Sequence, residues 1–411
     1  MTALPLPQPG QEAAERFVAD HFGHLICDEV AASPSFRGGQ AAADAALAAY
    51  DVTGYARTRN NVAPPRRRGA SRLSPYIRHG LLTLGQVWDH VSGGPGKDVA
   101  KFRDELLWQE FARHWYARLG SGTARGVRRE LPPAAQGRSD AVAGGWDRTM
   151  NCVATTVEEL ETDGWLVNQT RMWLSSQWGV RQRHRWQAGE DEFFRHLLDG
   201  SRAANRLGWQ WTTGVGSSKV YGFSRWQVNK RAPELCRGCV HEHRCPIDHW
   251  PDDPDFVAVE APSMSGTVGG GPGPGPGTVE GAATPSVVWL TAESLGADDP
   301  ALAAHPDLPA VFVFDAPLLE RLQLSSKRLV FLVETLAELG RDRMLEIRLG
   351  DPAAELAHWE LAVTYAPVPG FARRSAAIGP VEMHPWPWLA RPGEGSISSF
   401  SAWRRSIKVR R

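Results

Sequence analysis

Four cysteines carry the first sign of chemistry in this chain. Cys236, Cys239 and Cys245 stand close together in PELCRGCVHEHRCPIDHWP, and Cys152 lies far upstream in MNCVATTVEEL. Four thiolates, three of them closely spaced and the last followed by proline, fit an iron–sulfur cluster or a tetrahedral zinc site. His241 and His243 compete as zinc ligands, and Cys27 is left over. A second constellation lies between Gly164 and Trp211, where Asn168, Arg171, Asp199 and Asn205 are set among buried-type aromatics. Arg171 and Asp199 would each be costly to bury alone, so they are expected as a buried charge-assisted pair. Beside Asn205 and Trp209, such a pair points to a ligand site.

The elements that must position these groups are mostly helical. Leu166, Trp173, Leu174 and Trp178 recur at helical spacing, and Glu190 to Leu198 presents Phe193, Phe194, Leu197 and Leu198 on one face before a stop at Gly200 or Ser201. Helices are also expected over Gln11–Leu25, Gln40–Tyr50 and Lys101–Leu119, the last with Phe102, Glu105, Leu106, Trp108, Gln109 and Trp115 in register. Ser71–His79 reads as a further helix, with Ser71 or Ser74 as N-cap and Pro75 in the first turn, and its free amides would suit an anion. The run Arg66, Arg67 and Arg68 fits either a solvated loop or a phosphate contact. Residues 1–10 are Pro-rich and expected to be a disordered or simple lead-in.

Length and composition bound the answer. The chain has 411 residues with 42% apolar content, enough for two domains, and a formal net charge of zero, so whole-chain electrostatics argue neither for nor against nucleic acid. No apolar run is long enough to span a membrane and the N-terminus lacks a leader pattern, so no membrane partner and a cytoplasmic location are expected. Twelve of the seventeen tryptophans precede residue 251, which assigns whatever needs tryptophan to the first part.

The motifs SRLSPYIRHGLLT, DELLWQEFARHWY, DGWLVNQTRM and DGSRAANRLGWQW, in the family's own order along about 200 residues, resemble the flavin-binding domain of the photolyase/cryptochrome family. The resemblance implies FAD held by Tyr55, Ser71, Arg72, Leu73, Ser74, Asn168, Arg171, Asp199 and Asn205. Tyr55 and the Ser71 loop would meet the diphosphate, Asn205 would face the flavin N5, and Arg171 with Asp199 would flank the ring system. Trp209 and Trp186 match the proximal and middle tryptophans of the family's electron chain, whose outermost member has no clear counterpart in residues 120–148. Trp108, Glu105 and Met172 match positions that border a flipped pyrimidine pair in repairing members. The cysteines resemble the family's bacterial iron–sulfur branch, which favours a [4Fe–4S] cluster over zinc on Cys152, Cys236, Cys239 and Cys245.

Three departures stand out. Ala70-Ser71 replaces a Thr-Ser pair, Ser201 replaces the second acid of a DGD turn, and Gln169 replaces a basic residue that would meet DNA phosphate. The histidine of (6-4) repair is not evident in GWLVNQTRM, which makes a cyclobutane dimer the expected substrate. Arg181, Arg183 and Arg185 are the candidates for a basic groove.

After the Gly/Pro-rich stretch Ser263–Pro285, the strands VVWL, AVFVFD and LEIRL alternate with helices at Asp299–Ala304, Ser325–Leu339 and Pro352–Ala357, a doubly wound α/β pattern. This part resembles the family's antenna-binding domain, which comes first in the family and last here. TAESLGADDPAL stands where a basic turn would dock that domain, so the resemblance carries no antenna chromophore over to it, and a structural role stands beside that reading. The expected organisation is a helical FAD-binding domain over 11–262, a linker over 263–285 and an α/β domain over 286–411. The resemblance implies a blue-light-driven lyase that splits pyrimidine dimers in UV-damaged DNA. The alternative is a cryptochrome-like flavin and iron–sulfur photoreceptor or redox protein without repair, its signalling partner unknown. A helical DNA-binding protein with structural zinc is the third reading.

Overall fold

The computed structural model describes residues 2–131, 145–266 and 270–409. A short strand, β1 (Thr2–Leu4), precedes the helices α1 (Gln11–Phe22), α2 (Gln40–Ala48), α3 (Tyr55–Thr58), α4 (Ser74–Arg78), α5 (Leu84–His90) and α6 (Gly96–Leu119). After the strand β2 (Arg129–Glu130) come α7 (Asn151–Asp163), α8 (Asn168–Ser176), α9 (Trp186–His196), α10 (Arg202–Thr213) and α11 (Arg225–Arg231). The strands β3 (Val257–Ala258) and β4 (Glu280–Gly281) lead into the α/β lobe. It holds β5 (Val287–Leu290), α12 (Pro300–Ala304), β6 (Ala310–Asp315), α13 (Ala316–Leu322), α14 (Ser326–Asp342) and β7 (Leu345–Gly350). It ends with α15 (Pro352–Glu355), β8 (Leu361–Thr364), α16 (Phe371–Ile378), β9 (Glu382–His384) and α17 (Phe400–Ser406).

The lobe is a seven-stranded sheet in the order β1-β7-β6-β5-β8-β9-β4. The five inner strands run parallel, from Val287↔Leu361 on one side of β5 to Val288↔Ala310 on the other, so the chain winds both ways from β5. The strands β6 and β8 are buried along nearly their whole length, as their unbroken apolar runs require. Both edges are closed by antiparallel segments, β4 on β9 and β1 on β7. The first residues are therefore an edge strand and not a lead-in: Thr2–Leu4 pair with the backbone of Ile347–Leu349 and satisfy donors that an open edge would expose.

The two lobes share one core, in which Leu73, Tyr76 and Leu106 belong to the same apolar cluster as Phe312 and Phe331. Their docking does not need the basic turn absent after β5. Arg328 on α14 donates to the carbonyls of Phe194 and Gly200, Arg195 donates to Leu322 O at 2.9 Å, and Arg78 donates to Gly200 O at 2.7 Å while pairing with Glu293 at 2.8 Å. The Gly/Pro-rich stretch is anchored as well, by Gly273 N–H to Ala117 O at 2.8 Å, Trp388 Nε1 to Pro274 O at 3.0 Å and Tyr365 Oη to Gly273 O at 2.7 Å. Among the described residues no helix is long and apolar enough to cross a membrane.

Buried titratable groups make the stability of the fold depend on pH. Burial, helped by Arg78 and Arg328, holds His79 down to about 3 although both ring nitrogens face carbonyls. Burial holds His114 and His196 down to about 4. Burial pushes Glu110 and Asp299 up to about 7. Between about pH 4.5 and 6.5 the unfolded chain binds protons at three histidines that the folded chain leaves neutral, while the folded chain keeps two carboxyl protons that the unfolded chain loses. Taken alone, the three histidines make stability rise with pH over that window, and the raised carboxyls, Glu190 and Glu192 among them, oppose that rise. Above it the histidine contribution is complete, and ionisation of the two buried carboxyls works against the folded state. Urea midpoints should fall between about pH 6.5 and 8; a midpoint that climbs steadily over that range would contradict the assignment.

Candidate flavin site

The buried pair anticipated from sequence is present. Arg171 on α8 reaches Asp199 through Nη1–Oδ1 at 3.0 Å and Nη2–Oδ2 at 2.7 Å, and its Nε donates to Leu166 O at 3.0 Å. Two parallel N–H···O bonds fix both side chains in one plane and offset the cost of taking them out of water. The loop that carries Asp199 is held from behind by His79, whose Nε2 lies 3.0 Å from Leu198 O. The segment after Gly200 folds as the helix α10. Its residues 205 and 209 are one turn apart, so Asn205 and Trp209 share a face.

That face, the pair and the loop before α4 enclose a cavity of about 650 Å³. Tyr55, Ser71, Arg72, Ser74, Asn168, Arg171, Asp199, Asn205 and Trp209 line it, together with Glu105, Trp108 and Met172. Two candidates lie elsewhere. Leu73 is fully buried in the apolar core and Trp186 is buried behind the cavity wall, with Nε1 donating to Glu130 Oε1 at 2.9 Å. The helix expected over Ser71–His79 forms only over Ser74–Arg78, five residues, with no side-chain cap. The left-handed backbone of Arg72, at φ 62°, interrupts the run before it. The anion site expected of a helix N-terminus is therefore replaced by a loop. In that loop Ser74 Oγ accepts from Trp165 Nε1 at 3.0 Å, and Arg72 stacks over Phe36 and Trp165 at 4.6 and 5.1 Å.

Two buried polar atoms on residues that line this space suit a heteroaromatic ligand. Asn205 Nδ2 and Trp209 Nε1 are buried and have no hydrogen-bond partner. A buried donor without an acceptor is costly, and a ring nitrogen or carbonyl would supply one. Trp209 meets Phe193 at 5.1 Å, Phe193 meets Trp146 at 6.1 Å, and Trp146 meets Trp178 at 4.9 Å, so aromatic rings run unbroken from the cavity wall into the helical core. Sequence reasoning did not place Trp146 on this path. It also missed Arg59, Lys101, Arg113 and Trp165, which complete the lining. Lys101 and Arg113 share α6 with Glu105 and Trp108, while Arg59 and Trp165 arrive from distant parts of the chain.

The residues read as contacts to DNA are arranged differently from one another. Glu105 is held by Lys101 at 2.9 Å and Arg59 at 3.4 Å. Trp108 lies in the cavity wall, but one face of its indole is stacked on Phe400 of α17 at 4.1 Å and 8°. Gln169 is buried and donates to Tyr221 Oη, so this position points away from any phosphate. Arg181 does not contribute to a basic groove: it donates to Phe223 O and His249 O, tying the segment after α8 to the stretches on either side of α11. Arg68 is likewise engaged, pairing with Glu159.

The cysteines gather at the far end of the helical lobe. Cys152 opens α7, is buried, and is pushed up to about 12 by burial and then by the charges of Cys236, Cys245 and Cys239. Cys236 and Cys245 pack on the core cluster that contains Cys152. Among the described residues no three of these thiols have sulfurs all within 4.8 Å of one another.

The helical part holds a cavity between a bidentate ion pair and a tryptophan, and residues 102–232 match the family model described as the FAD binding domain of DNA photolyase. The likeness to the photolyase family is carried by the helical part of the chain. It is 30% identical over 218 residues to a deoxyribodipyrimidine photo-lyase of Thermus thermophilus, covering 52% of this chain and 44% of that protein. It is 27% identical over 166 residues to the deoxyribodipyrimidine photo-lyase of a Synechococcus strain, covering 37% of this chain and 34% of that protein. The chain thus spans less than half the length of the curated relatives it matches. Among solved structures it is similar to the Synechocystis cryptochrome, at 21% identity and a TM-score of 0.44 over 49% of this chain and 45% of that one. It is also similar to a bacterial class III photolyase from Agrobacterium tumefaciens, at 21% identity and a TM-score of 0.43 over 55% of this chain and 46% of that one.

Proposed function

We propose that this protein holds FAD in the cavity beside Arg171 and Asp199 and uses blue light to split pyrimidine dimers in DNA. The observation that supports it best is the shared cavity: the groups suited to the flavin and the three that would border a damaged base pair, Glu105, Trp108 and Met172, line one space. Bound and reduced, FAD would supply the electron that opens the cyclobutane ring on excitation. The chain's own part is to orient and to insulate. Arg171 and Asp199 flank the ring system, Asn205 offers Nδ2 to it, Tyr55 and Ser71 meet the diphosphate, and Trp209 excludes water on the core side. The free face of Trp108 stacks on an extruded base, and Glu105, neutralised by Lys101 and Arg59, accepts a hydrogen bond from it. The division into an FAD-binding unit over 11–262, a connecting stretch over 263–285 and an α/β lobe over 286–411 belongs to the same proposal.

Cys152, Cys236, Cys239 and Cys245 fit a [4Fe–4S] cluster better than zinc. Sulfurs bound to one tetrahedral zinc at about 2.3 Å would lie about 3.8 Å apart, closer than any three of these stand. A cluster spreads its four ligands around a larger cage.

One observation favours a second reading, a flavin photoreceptor without repair: Phe400 already covers one face of Trp108. The two readings part on a direct assay. Protein purified without oxygen and photoreduced is incubated with an oligonucleotide carrying one cyclobutane thymine dimer, and restored thymines are counted in blue light and in darkness. Restoration in light alone is the expected result. No restoration by protein shown to carry reduced flavin would remove the repair reading and leave the photoreceptor.

A further inference from the structure

Far from the cavity, at the edge of the α/β sheet, three side chains converge in a way that neither repair nor flavin binding requires. His305 follows α12, and Glu382 and His384 lie on β9 two residues apart, so both project from one face of the sheet. Both imidazoles aim Nε2 at the same carboxylate oxygen, His305 at 2.5 Å and His384 at 2.6 Å from Glu382 Oε1. Their rings stand edge-on to each other at 5.7 Å and 89°, which keeps the two nitrogens pointed at one place and not stacked. The three candidate ligand atoms lie within 4.8 Å of one another.

The surroundings fix these residues before any ion arrives. His305 N–H donates to Ala301 O at 3.2 Å, and its carbonyl accepts from Arg343 Nη1 at 2.7 Å. The carbonyl of His384 accepts from Tyr365 N–H at 2.9 Å, and β9 is held between β8 and β4. His384 is buried while His305 and Glu382 keep a partly open side, their side chains 22% and 16% exposed, so a water could complete the shell.

We propose that His305, Glu382 and His384 bind one divalent transition-metal ion of the zinc class, with water in the open position. Two neutral imidazoles and one carboxylate are a common donor set for such ions, at about 2.0–2.2 Å per bond. At those lengths a tetrahedral centre sets nitrogen and oxygen roughly 3.3 Å apart, so the side chains open by less than about 1 Å from their present contacts. The ion takes the place of the Nε2 protons now shared with Glu382: a neutral imidazole keeps its proton by moving it to Nδ1, and a charged one releases one proton to solvent. It would join the end of α12 to the sheet edge, and it is independent of the cysteine centre in both ligands and location.

Cobalt distinguishes the two centres. The full-length protein, dialysed against EDTA, is titrated with Co²⁺ and followed in the visible, with Zn²⁺ then added as competitor. One equivalent should produce a weak ligand-field envelope that lacks thiolate-to-cobalt charge transfer and that zinc abolishes. Zinc should also raise the melting temperature. Glu382→Gln and His305→Ala, the latter at a partly open position, should each weaken binding at least about 100-fold and lose the zinc-dependent rise relative to the same variant without metal. An envelope that survives both substitutions, or one that never forms apart from thiolate charge transfer, would overturn the site and leave two histidines donating hydrogen bonds to a carboxylate.

Discussion

Asp199→Ala protein should purify with no more than about a tenth of the flavin of the parent and unfold about 3 kcal/mol more easily. Removing one partner of a buried ion pair costs roughly 3–5 kcal/mol because the other charge stays behind without compensation. The lower end applies here, since Arg171 keeps 21% of its side chain exposed and retains its bond to Leu166 O. Flavin loss has a separate cause: without the carboxylate the guanidinium is free to swing into the volume the ring system needs. The double variant Arg171→Met/Asp199→Leu separates the two effects, because an apolar pair of similar volume restores stability without restoring the polar wall. Urea denaturation gives the first quantity and flavin absorbance per polypeptide the second. An Asp199→Ala protein that keeps full flavin would show that the pair is structural only.

Gly189→Ala should both destabilise the helical lobe and disturb the cavity. A β-carbon at this position on α9 would lie 2.2 Å from Trp209 Cη2, with Cζ3 and Cζ2 at 2.7 and 2.9 Å. The indole has nowhere to retreat on the core side, since Phe193 stands 5.1 Å away and Trp209 is fully buried. It must move toward the cavity. Overpacking of this kind costs about 1–3 kcal/mol, and the displaced ring also enters the flavin space. The expected outcome is a lowered urea midpoint, reduced flavin content and slower photoreduction of the flavin that remains. Gly93→Ala is the control, as a β-carbon there meets nothing within 4 Å. Normal flavin content and photoreduction in Gly189→Ala would mean that Trp209 adjusts without entering the cavity.

Where sequence reading succeeded, local chemistry was enough. The unbroken apolar runs VVWL and AVFVFD are strands because both faces of the sheet are covered. The long α6 follows its repeating Phe102, Leu106 and Trp115 face, starting a turn earlier than expected, at Gly96 behind Pro95. The partnership of Arg171 with Asp199 was legible because neither charge could be buried alone. Boundaries were less legible: α4 stops short at Ser74, since the left-handed Arg72 is set by its stacking on Phe36 and Trp165 and not by its neighbours in the chain.

The sequence by itself determined which residue types can do chemistry here: four thiols, a pair of charges that could be buried only together, and an asparagine and a tryptophan four residues apart. Those follow from composition, spacing and the cost of burying charge. Only the tertiary structure decided which of them share a space. It brought Tyr55, Asn168 and Asn205 to one cavity, turned Leu73 and Gln169 inward, placed Phe400 against Trp108 across nearly the whole chain, and set His305 beside Glu382 and His384. Contacts between distant segments depend on how the α/β lobe docks on the helices, through Arg78, Arg195 and Arg328, and no local pattern encodes that docking.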